Sequence, residues 1–255
     1  MTLRYLQKWH GAGNDFLVEV LEHGTAPWWD AGLVRAVCHR ATGVGADGLL
    51  LATVGSEVTM VLFNADGSRA EMSGNGVRCL AAAVRRSTRG TWDSLDVQTD
   101  VGIRHVTLTG DRDRGSGSVD MGPVIAAPGP AGTLGVASVG NPHVVVLDEA
   151  TWTTEDRTKR AQAWSDEVGG ANVEFITPVS RDRIELRVFE RGVGWTLACG
   201  TGSCAVAVVA RAQGFSGDVV TVGNPGGDLT VRLDGDRANL GGPVQFVANV
   251  EWLAT

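Results

Sequence analysis

No run of adjacent Lys or Arg in this chain exceeds two, and acidic residues outnumber basic ones 29 to 22, giving a net charge of -7. Phosphate binding needs a basic face, so this balance excludes a nucleic-acid partner. Met1 to Gly11 lack the apolar core of a signal peptide, and the cytoplasm is the expected location. Long apolar runs are missing too, with one near exception: Gly192 to Ala210 carries no charge. Four Gly, two Thr and a Ser in that stretch make it a loop entering a buried helix, and no membrane partner is expected. Cysteine is scarce, with Cys38, Cys79, Cys199 and Cys204 the full set. They are expected as reduced thiols, and a zinc site would need two more ligands than Cys199 and Cys204 supply.

What the chain does have is a long internal repeat. Phe63-Asn64 leads to Ser73-Gly74-Asn75-Gly76, and Phe189-Glu190 leads by the same step to Cys199-Gly200-Thr201-Gly202, an offset of 126 residues. Upstream, Val58, Met60 and Leu62 recur as Ile184, Leu186 and Val188. Gly13-Asn14-Asp15-Phe16 recurs as Gly140-Asn141-Pro142-His143, and Gly45-Ala46-Asp47 as Gly170-Ala171-Asn172. Each motif reads strand, loop, Gly-x-Gly turn, helix. Two homologous halves are therefore expected, residues 1–117 and 118–245, with chemistry where the two turns face each other. The last strand, within residues 246–255, is assigned to neither half by the sequence. Gly110 to Ser118 is Gly/Ser-rich and charged, which predicts a loop at the boundary. Gly43 to Gly48 matches a dinucleotide G-x-G-x-x-G pattern formally, but a helix precedes it and a strand follows, the reverse of what that fingerprint requires.

A Gly-x-Gly turn opening a helix offers backbone N–H groups and the positive end of the helix dipole to a carboxylate. Ser73 and Cys199 stand at equivalent positions before the two turns. A thiol at a helix start is acidified, so Cys199 is a candidate base or nucleophile. Glu190 ends the strand before Cys199 and is placed to hold the thiol proton; His143, in the other paired loop, is a candidate to do the same for residue 73. Cys38, Cys79 and Cys204 lie in predicted helices as core.

At these residues the chain resembles the diaminopimelate epimerase family of cofactor-independent amino-acid epimerases. The matching segments include Gly11 to Phe16, Asn64 to Ser68, Gly74 to Cys79, Gly140 to His143, Asn172 to Phe175, Glu190 to Gly192 and Ala198 to Gly202. The resemblance implies an α/β (α+β) fold of two pseudo-symmetric halves, each a curled mixed sheet around a central helix. It implies no cofactor and no metal, a small-molecule amino-acid substrate and a homodimer. It implies two cysteines acting on opposite sides of an α-carbon, of which Cys199 matches one. Asn14, Asn64, Asn141, Asn172 and Arg191 then match substrate-binding residues, joined by Gly74, Asn75, Gly200 and Thr201 at the turns, while Glu190 and His143 match the groups that assist the thiols.

Two departures stand out. Ser73 occupies the place of the family's first cysteine, and Trp195 that of a usual acidic residue. A serine hydroxyl yields no useful alkoxide near neutral pH. Several readings of Ser73 stay open on the sequence: a replacement that traps substrate, a natural variant working through His143, one-sided chemistry such as a dehydration, or an amino-acid-binding protein without turnover.

Overall fold

The computed structural model describes residues 2–25 and 28–254. The chain forms two compact units, one of Met1–Val119 with Gly242–Thr255, the other of Asp120–Gly241.

In the first unit a mixed sheet curls around one helix. Thr2–Gly11 pairs antiparallel with Arg237–Ala254 and with Asn14–Glu22. The last of these runs parallel to Gly48–Val54, which is antiparallel to Val58–Asn64. Val58–Asn64 runs parallel to Ser94–Thr99, and Gly102–Gly110 and Arg114–Pro123 follow antiparallel. The N–H of Phe246 donates to the carbonyl of Asp113 at 2.7 Å and closes the ring. Helix α1, Ala31–Cys38, packs on Gly48–Val54, capped by the Asp30 carboxylate accepting from Leu33 N–H at 2.9 Å. Helix α2, Gly74–Thr88, fills the ring and touches six of its strands. Its run of Ala and Leu from Leu80 to Val84 is buried, and Arg85 and Arg86 sit in the last turn, where cations suit the helix dipole.

The second unit repeats the plan. Gly135–Ser138 pairs antiparallel with Ile125–Ala127 and with Pro142–Leu147. Pro142–Leu147 runs parallel to Asn172–Ser180, which is antiparallel to Arg183–Glu190. Val219–Asn224 and Gly227–Asp234 continue from there. Helix α3, Thr154–Glu167, lies on Asn172–Ser180 and starts with a capping box of Thr153 and Asp156. Helix α4, Gly200–Ala212, is the central helix. Val206, Val208 and Val209 are modest helix formers, yet they are buried there, and tertiary packing outweighs propensity.

Two stretches differ from the sequence reading. Trp9 to Phe16, with two Gly and an Asn, has the composition of a loop, but only Ala12 and Gly13 lie outside strands, both at positive φ, 52° and 82°. That is the twist a two-residue hairpin demands, and Asn14 thus begins a strand. Gly110 to Ser118 was expected as a loop, whereas only residues 111–113 turn and Arg114–Pro123 is strand. The small residues are there because neighbours come close: a Cβ on Gly115 would lie 1.9 Å from the Thr109 carbonyl oxygen, and one on Gly117 would lie 3.1 Å from the Arg78 side chain. The charge-free stretch from Gly192 divides into strand Gly194–Thr196 and α4, and no helix among the described residues is long and apolar enough to cross a membrane.

Candidate active site

Ser73 and Cys199 are the N-cap residues of α2 and α4, and they do the same local job. Both have extended backbone, φ -140° and -124°. The Ser73 hydroxyl accepts from Gly76 N–H at 3.0 Å, and the Cys199 sulfur from Gly202 N–H at 3.3 Å. The caps thereby occupy the third amide of each helix. The amides of Gly74 and Asn75, and of Gly200 and Thr201, have no acceptor among the described residues and remain available to an anion.

Around Ser73 the first unit assembles a polar chain. Asn75 donates to the Asn14 amide oxygen at 3.3 Å, and Asn14 donates to Asp47 at 2.7 Å. Arg40 bridges Asp47 and Asp15, each at 2.7 Å, and Lys8 adds a bond to Asp15 at 3.0 Å. Burial alone would raise the Asp15 carboxyl, but hydrogen bonds and charge from Arg40 and Lys8 outweigh it and hold the group below its ordinary range. Arg78, fully buried, clamps the helix start from below, donating to the Gly74 carbonyl at 3.0 Å and to Asn75 at 2.8 Å. Asn64 stands apart from this chain, its amide donating to Ser68 at 3.0 Å.

In the second unit Thr201 and the charge of Glu190 act on Cys199, while Asn141, His143, Asn172 and Arg191 form hydrogen-bonded groups of their own. The Thr201 hydroxyl lies 3.4 Å from its sulfur. Glu190 accepts from the Thr196 hydroxyl at 2.5 Å, and Arg191 N–H donates to the Asn172 amide oxygen at 2.9 Å. His143 pairs with Asn172 across parallel strands; its Nε2 lies 3.0 Å from the Asn141 oxygen and its Nδ1 2.7 Å from Glu174.

One electrostatic expectation is reversed. Burial pushes the Cys199 thiol well above its ordinary range, and the charges of Glu190 and Glu174 push the same way. The Thr201 hydroxyl and the Gly202 amide pull it down by less. The resting group is a thiol despite its place at a helix start.

Sequence reasoning missed Glu174, Asn224 and Asp47. Asn224 accepts from Cys199 N–H at 3.4 Å and donates to Ser203, so it braces the cap from behind. The available signal for Glu174 was a lone acid between apolar Val173 and Phe175. Trp195 has a packing role: its ring lies 5.6 Å from Phe175 and 5.5 Å from Phe189, and its indole N–H donates to Thr158 at 3.0 Å. This pins the short hairpin that carries Glu190 and Arg191. A cavity of about 540 Å³ in the first unit lies by Val84, Thr88 and Trp92, towards the far end of α2 from Ser73, and holds none of the selected residues.

The family model described as diaminopimelate epimerase matches residues 6–126 and 135–247. A diaminopimelate epimerase of Desulforudis audaxviator is 36% identical over 275 residues, covering 96% of this chain and 98% of that protein. Among solved structures, a phenazine biosynthesis protein of the PhzF family from Bacillus anthracis superposes with a TM-score of 0.77 at 14% identity, covering 100% of both chains. A hydroxyproline epimerase from Agrobacterium vitis gives 0.73 at 15% identity, covering 98% of this chain and 92% of that one. At such identities the structures speak for the fold, whereas the family model and the sequence relative span both capped helices: this chain belongs to the diaminopimelate epimerase family.

Proposed function

We propose that the protein interconverts LL- and meso-diaminopimelate without a cofactor, with Cys199 as one proton-transfer group and Ser73 in the position of the other. The observation that carries this reading is the matched pair of capped helix starts, each with amides left over for a carboxylate. As thiolate, Cys199 takes the α-proton, leaving the electron pair on the α-carbon and its carboxylate. As thiol, it returns a proton. Glu190 takes the thiol proton, and a bound substrate ammonium group supplies the positive charge that makes the thiolate accessible from its raised resting state. Inversion requires a second proton group for the other face. Ser73 as a direct base would have to pass through an alkoxide, so turnover is slow on that side. Asn14, Asn64, Asn141, Asn172 and Arg191 hold the distal amino-acid end.

Ser73 itself favours a second reading, an amino-acid-binding protein with little turnover. Both are tested by following solvent deuterium into the α-position of diaminopimelate with a chelator present, in the protein as it stands and in Ser73→Cys. Exchange in both, faster in Ser73→Cys, is expected. Binding without exchange until Ser73→Cys is made supports the second reading, and neither binding nor exchange in either protein refutes both.

The four free cysteines support a reducing compartment, and we place the protein in the cytoplasm. Leu3 and Leu253, register partners on adjoining strands, are exposed together with Tyr5, and this apolar patch supports a homodimer. Light scattering that returns the monomer mass would remove that assignment.

A further inference from the structure

The side chains of His143 and Glu174 are fully buried, 2.7 Å apart. Buried ion pairs seldom stabilise a fold relative to apolar residues of similar volume. The first unit makes that comparison within the same molecule. Phe16 is the repeat counterpart of His143, and strand register makes Leu50 the counterpart of Glu174: Val18 pairs with Leu50 as Val145 pairs with Glu174, and Leu50 and Glu174 face Leu62 and Val188 in turn. Phe16 and Leu50 are both buried. The same architecture thus places two buried apolar residues here, and packing does not require the polar pair.

The hydrogen bonds show what the pair holds. The Asn141 oxygen can only accept, so His143 Nε2 carries a proton and donates to it at 3.0 Å. That leaves Nδ1 to Glu174, 2.7 Å away. Among the described residues the second carboxylate oxygen of Glu174 is buried without a hydrogen-bond partner, and His143 is the one group hydrogen-bonded to this side chain. Gly202 stands between Glu174 and the thiol: a Cβ there would lie 2.7 Å from a Glu174 oxygen and 3.2 Å from the Cys199 sulfur.

We propose that Glu174 is a positioning residue for this reaction centre: through His143 it fixes the orientation of the Asn141 amide, and His143 serves as a strut with both ring nitrogens committed. The role given to Asn141 rests on the epimerase reading above. Two variants separate positioning from proton transfer. Glu174→Gln keeps a hydrogen-bonding partner for Nδ1 but no ionisable group. The double variant His143→Phe/Glu174→Leu copies the pair of the first unit and serves as the folded control.

The double variant is expected to stay folded with an unfolding midpoint close to wild type and to lose deuterium exchange on the order of 100-fold, since a misplacement of about 1 Å can cost that much. Glu174→Gln is expected to lose less than about tenfold, mostly in KM. A folded double variant exchanging at the wild-type rate would overturn the proposal, as would a Glu174→Gln variant as slow as the double variant, because the carboxylate would then be transferring the proton. A substrate-free readout keeps this separate from the epimerase reading: ring 15N spectra should show His143 Nε2 protonated in wild type and Glu174→Gln. An unprotonated Nε2 would overturn the geometry whatever the protein turns over.

Discussion

Cys199 is a buried thiol whose surroundings oppose its charge, and this sets how it should behave toward an alkylating reagent. Thiolate is the reactive species. Because burial and the nearby Glu190 and Glu174 charges raise the group, iodoacetamide should label Cys199 slowly at neutral pH. Labelling should climb roughly tenfold per pH unit to pH 9 or beyond, with no plateau near pH 7. Cys199 should still react before the other thiols, since it is 6% exposed while Cys38, Cys79 and Cys204 are at 2% or less. Glu190→Gln removes one opposing charge and should speed labelling at pH 8 while slowing exchange. Peptide mapping that finds Cys79 or Cys204 modified first, or a labelling rate flat above pH 7, would contradict this picture.

At the scale of the element, the two capped helices were legible in the sequence because an N-cap is a local device: the residue before Gly-x-Gly in each repeat became the cap. Ser73→Ala should therefore cost about 1 kcal/mol of stability, and Ser73→Cys much less, since sulfur at position 199 makes the same bond to the third amide. Equal losses in urea titrations of the two variants would show that residue 73 does not cap α2. What could not be read was long-range. Glu174 meets a histidine 31 residues away. The strand through Gly115 and Gly117 resembles a loop in composition because its small residues answer to the Thr109 carbonyl and the Arg78 side chain, neither adjacent in sequence. Asp47, the partner of Asn14, stood out in the sequence as a repeat landmark and within a glycine-rich decoy, with nothing to pair it to a residue 33 positions away.

At the scale of the whole molecule, pH links the cysteines to stability. Burial pushes Cys38 and Cys79 up to about 12 from an ordinary 9.0. The folded state keeps these protons after the unfolded chain has lost them, so stability is fully present below pH 9.0 and falls as pH rises towards 12. Each thiol contributes up to about 1.4 kcal/mol per pH unit within that window. Denaturant midpoints should therefore drop between pH 9 and 10.5, less steeply in Cys38→Ala, and equal slopes would contradict the assignment. The repeat was legible at this scale too, since its landmarks keep one order, and the diaminopimelate epimerase family model matches residues 6–126 and 135–247. The central claim is that Cys199 exchanges protons on its own face while Ser73 limits the other. Its most direct test starts from a single stereoisomer of diaminopimelate in deuterium oxide and follows α-deuteration and inversion together. For the stereoisomer whose α-proton faces Cys199, deuteration should outrun inversion, and Ser73→Cys should bring the two rates together. Equal rates with Ser73 in place would contradict the account.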